Sequence, residues 1–64
     1  MTDQQERAAE IEALARIAAR LAGRDPDERA RMEWGGVLVF DDMMWRYPDF
    51  LSRAERAYDV LESL

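Results

Sequence analysis

The sequence predicts an α+β domain built from an N-terminal helix, a short β-hairpin and a C-terminal helix. Three observations carry that prediction. Residues 8–22 repeat apolar side chains at helical spacing, residues 28–40 are two short runs joined by Gly35-Gly36, and residues 48–64 open on Pro48-Asp49 before returning to helical spacing. The alternative is an all-α three-helix bundle in which residues 26–47 form one helix. Adjacent glycines inside such a helix would cost about 2 kcal/mol relative to alanine, which tertiary packing can absorb.

The first helix begins with a capping box, Thr2-Asp3-Gln4-Gln5, and runs to about Ala22 before Gly23 stops it. Ile11, Leu14, Ala18 and Leu21 make one apolar stripe, widened by Ile17. Glu12 precedes Arg16 by four residues, the favourable order on a helix surface. The stripe is expected to pack onto the rest of the domain; the alternative is a coiled-coil seam, which two heptads support only weakly.

Asp25-Pro26-Asp27-Glu28 reads either as a helix start or as a turn before a strand. The residues from Arg29 to Phe40 favour the turn. Ala30, Met32 and Trp34 alternate with charged residues, and Val37 to Phe40 come after the glycine pair. In a two-residue hairpin Trp34 faces Val37 and Met32 faces Val39, all on one face, with Leu38 and Phe40 on the other. A two-stranded ribbon is marginal alone, so it is expected to lie on the helices.

Asp41-Asp42 suits the cap of a short helical turn through Met43–Arg46. Tyr47 is held extended by Pro48, which opens the last helix with Asp49 near its positive end. That helix should run to about Ser63. Phe50, Ala54, Ala57, Leu61 and Leu64 form its expected buried stripe, with Glu55, Asp59 and Glu62 on the opposite face.

Sixty-four residues make a single small domain, near the lower limit for a chain that folds alone. The residues between Ala30 and Tyr47 include both tryptophans, and the core is expected to draw its largest side chains from here. The N-terminus is polar and mixed in charge, unlike a signal peptide, and the longest apolar run is Val37 to Phe40. A cytoplasmic location and no membrane partner are therefore expected.

Composition removes most catalytic chemistry. The chain has no histidine, no cysteine and no lysine, so it lacks an imidazole base, a thiolate and an amine nucleophile. No phosphate-binding loop is present, and no cofactor is expected. Zinc lacks its nitrogen and sulfur ligands. Asp25, Asp27 and Glu28 do not match calcium-loop spacing, and capping explains them. Asp41 and Asp42 could be an acid/base pair only inside a pocket that raises one pKa, which a domain this small seldom encloses. No enzyme activity is expected.

Net charge is −5, and the excess lies wholly in residues 25–64. An acidic chain repels phosphate, so direct nucleic-acid binding is disfavoured. The aromatic group Trp34, Phe40, Trp45, Tyr47 and Phe50 could stack on bases, but acids surround it, and core packing explains it more simply. The remaining signal is acidic surface. Glu55, Asp59 and Glu62 form one row; Asp41, Asp42 and Asp49 form another group. Such rows either solvate a helix or occupy a basic groove built for phosphates.

No motif identifies a family. By class analogy alone, small acidic cysteine-free proteins often serve as phage-encoded inhibitors, such as anti-CRISPR or anti-restriction proteins, or as antitoxins. The leading expectation is a non-catalytic inhibitor of a basic nucleic-acid-handling protein. Its partner-binding residues would be Asp41, Asp42, Asp49, Glu55, Asp59 and Glu62, imitating nucleic-acid charge. The alternative is a structural or adaptor protein that homodimerises through the first helix or the ribbon edge near Val37–Phe40. A third reading is a small-ligand binder using Trp34, Trp45 and Tyr47.

Overall fold

A computed structural model of the chain describes residues 3–64. Helix α1 (Asp3–Leu21) leads into strands β1 (Arg29–Trp34) and β2 (Val37–Met43); a 3₁₀ turn (Met44–Arg46) then precedes helix α2 (Pro48–Glu62). This is the helix–hairpin–helix order expected of an α+β domain, not the three-helix alternative. The Thr2 cap lies outside the described residues.

Helix α1 ends where the sequence places its stop. The Arg24 N–H reaches back to the Ala19 carbonyl at 2.9 Å, closing the last turn around Gly23. Asp25 to Glu28 form the turn and not a helix. The Glu28 N–H bonds the Asp25 carbonyl at 3.1 Å, and the Asp25 side chain accepts the Asp27 N–H at 3.0 Å. Pro26 is buried beneath it, and its carbonyl accepts the Trp45 N–H at 3.2 Å. The loop and the 3₁₀ turn are thereby tied together.

β1 and β2 pair antiparallel, with Trp34 opposite Val37. Gly35 and Gly36 make the turn at φ 58° and 81°, the left-handed pair that a two-residue hairpin requires. The expected register fails one step further on. Met32 pairs with Phe40 and not with Val39, because a bulge falls between Met32 and Glu33 in the pairing. The extra residue restores Phe40 to the face of Met32 and Ala30, where it packs against the core. The ladder also runs beyond Phe40, through Asp41 and Asp42 to Met43, so both aspartates are strand residues.

The core lies between α1, the 3₁₀ turn and α2. Ala19, Ala30, Met44 and Phe50 form one buried cluster; Ala15, Trp45 and Ala54 form the other. Tyr47 joins Phe40 and Phe50 through edge-to-face contacts with centroids 5.4 and 5.9 Å apart. The side of α1 that is fully buried is therefore Ala15 and Ala19, whose small side chains admit Trp45 and Met44. Ile11, Leu14 and Ala18 flank that line, whereas Ile17 and Leu21 are exposed. Likewise Phe50 and Ala54 of α2 are buried, but Leu61 and Leu64 are not.

Only the base of the hairpin meets the core, through Ala30, Phe40 and Met43. Residues 33–39 are all exposed, so the ribbon does not lie on the helices as expected. α1 is about 28 Å long at 1.5 Å per residue, yet the molecule extends 43 Å. The radius of gyration is 13.1 Å, against about 11 Å for a compact chain of this length.

Candidate functional site

Two apolar surfaces stand out. The first is the hairpin tip. Trp34 is 81% exposed, with its ladder partner Val37 at 63%. Sequence groups Trp34 with the core aromatics; the structure puts it on the surface instead. The tip is positioned by the glycine turn and by the ladder below it. Arg29 crosses to Asp41 at 2.9 Å, and Arg31 reaches Glu33 at 3.2 Å, so the charges along the ribbon are matched to one another.

The second surface is an open groove between α1 and α2, lined by Leu14, Ile17, Leu21, Arg53 and Ala57. It continues over Arg56, Val60 and Leu61, and ends at Glu10, Ala13 and Glu62. Helical periodicity identifies these apolar residues correctly. It does not reveal that α1 and α2 together expose them, because alanines fill the true interface.

The six acidic residues expected to bind a partner do not form one surface of free charge. Asp41 is held by Arg29. Asp42 accepts the Met43 N–H at 2.7 Å and Arg46 at 3.4 Å. The backbone bond, with the nearby Arg46 and Arg29 charges, holds its carboxyl below the ordinary aspartate value. Asp59 pairs with Arg7 at 3.3 Å. Asp49, Glu55 and Glu62, all on α2, are exposed and make no ion pair among the described residues. Burial, together with the neighbouring Glu62 carboxylate, pushes the Tyr58 phenol upward.

Trp45 is the buried member of the tryptophan pair. Arg46 and Arg16 stand over its ring with guanidinium carbons 5.0 and 5.5 Å from the centroid. Arg16 is itself fixed by Glu12 at 3.0 Å and by Asp27, and these carboxylates, Asp27 first, raise its already high pKa. The indole N–H of Trp45 is buried without a partner among the described residues.

Among the described residues no group of three carboxylate, histidine or cysteine side chains could hold a metal ion, and no helix is long and apolar enough to cross a membrane. Nor is any charged side chain among them buried. The described residues therefore enclose no titratable group, and their distinctive chemistry is exposed apolar area. No protein family matches the chain, and no curated protein or solved structure is similar to it.

Proposed function

We propose that this is a non-catalytic binding protein that acts on another protein through its hairpin tip. The observation that carries the reading is Trp34, 81% exposed at the end of a ribbon anchored only at its base. Exposed tryptophan paired with exposed valine is the composition of an interface centre, where aromatic residues dominate binding energy. A folded chain gains nothing internally by holding that ring in water.

The net charge of −5 favours a partner with a basic site, by steering at long range. Nucleic-acid-handling proteins carry such sites of necessity, so an inhibitor or adaptor of one is the favoured class. Charge imitation by all six acids is the weaker form of this idea. Three of them are matched to arginines, which leaves Asp49, Glu55 and Glu62 to act.

Site-directed photocrosslinking in the cells that make the protein tests this. A crosslinking residue at position 34 should trap one partner protein, and the same residue at position 55 should not. Trapping from position 55 alone would favour the acidic face and overturn the hairpin reading.

A further inference from the structure

We infer that the α1–α2 groove is the interface of an antiparallel homodimer, in which two chains form a four-helix pack. The inference is independent of the hairpin's role and rests on a different face.

Exposed apolar side chains come first: Ile17, Leu21, Val60 and Leu61, which line this face, are each about half or more exposed in the single chain.

Charge then selects the occupant. Six of the nine arginines in the chain make ion pairs among the described residues; Arg20, Arg53 and Arg56 do not. Of these three, Arg53 lines the groove at the Leu21 end, and Arg56 lies further along, beside Ala57 and Val60. Glu10 and Glu62, also without ion pairs among the described residues, line the other end. The groove is thus mostly apolar between its ends, positive at Arg53 and negative at Glu10 and Glu62.

A face with that pattern is complementary to itself after a half-turn. A two-fold axis lying across the helices brings the Arg53 end of one copy opposite the Glu10–Glu62 end of the other. It also covers Ile17, Val60 and Leu61, which are about half or more exposed in the single chain. An axis along the helices would stack arginine on arginine, so the antiparallel arrangement is the one selected. The hairpin joins α1 to α2 at the Leu21 end. The dimer therefore displays its two hairpins at opposite ends, a bivalent arrangement.

Sedimentation equilibrium of the full chain tests the inference. Twice the 7.5 kDa chain mass is expected at micromolar concentration. Leu61→Glu should raise the dimer dissociation constant by about 100-fold or more, because each substitution acts twice across the axis. Leu61 is more than half exposed, so the variant keeps its helical circular dichroism. Arg53→Glu should weaken the dimer, and adding Glu62→Arg should restore it. A monomer for the unaltered chain at 100-fold higher concentration overturns the inference. So does a dimer that survives Leu61→Glu, or one that Trp34→Ser dissociates in its place.

Discussion

Trp34 lies directly across the ladder from Val37, and both side chains stand in solvent. That pair occupies the far end of a ribbon held to the core by Ala30, Phe40 and Met43. Its removal should therefore leave the fold alone. Trp34→Ser with Val37→Thr is expected to change unfolding free energy by no more than about 0.5 kcal/mol, the range of surface substitutions. Thermal denaturation tracked by circular dichroism checks this, and a loss of several kcal/mol would place the tip in the core.

The turn beneath that pair should be more sensitive than its exposure suggests. A Cβ on Gly35 or Gly36 would meet nothing within 4 Å, so only backbone strain opposes it. Gly36→Ala is expected to destabilise the chain by about 1 kcal/mol through its positive φ. Gly35→Asn should be tolerated far better, since asparagine is favoured at this turn position. Denaturant titration of the two variants gives the comparison.

Small residues govern the helix packing. Ala15 and Ala19 are fully buried, and each admits a large neighbour, Trp45 or Met44. Ala19→Leu should cost about 1–3 kcal/mol by overpacking. Measured beside it under monomeric conditions, Leu21→Ala should be nearly neutral, although leucine is the larger apolar residue.

That reversal marks the boundary of what sequence shows. The glycine stop, the aspartate–proline turn, the hairpin and Pro48 at the start of α2 are local devices, and each is legible from residue type. Which apolar residues of α1 face inward is not local. Leu14, Ile17 and Leu21 outweigh Ala15 and Ala19 in hydrophobicity, but Trp45 and Met44 need the space that alanines leave. The bulge is equally hidden, since aspartates disfavour strands, and Asp41 is kept in this one by Arg29 across the ladder. The exposure of Trp34 comes from the projection of the ribbon, which no pattern of alternation encodes.

Acid should loosen the hairpin base through Asp42. Its folded-state pKa is lowered, chiefly by the Met43 N–H. Stability from this group is complete above the ordinary aspartate value of 3.8 and is lost as pH falls through the lower folded value. Asp42→Asn should remove that part of the pH dependence while leaving the rest. Thermal midpoints recorded from pH 6 down to pH 2 for both proteins would show a shallower fall in the variant.

The account depends most on the claim that Trp34 is held out in water and not folded against its own helices. Collisional quenching of tryptophan fluorescence in the Trp45→Phe variant, where Trp34 is the sole reporter, tests that claim directly. The expected result is quenching by acrylamide nearly as efficient as for a free indole, with emission at the red limit. A shielded, blue-shifted Trp34 in the pure folded protein would contradict it.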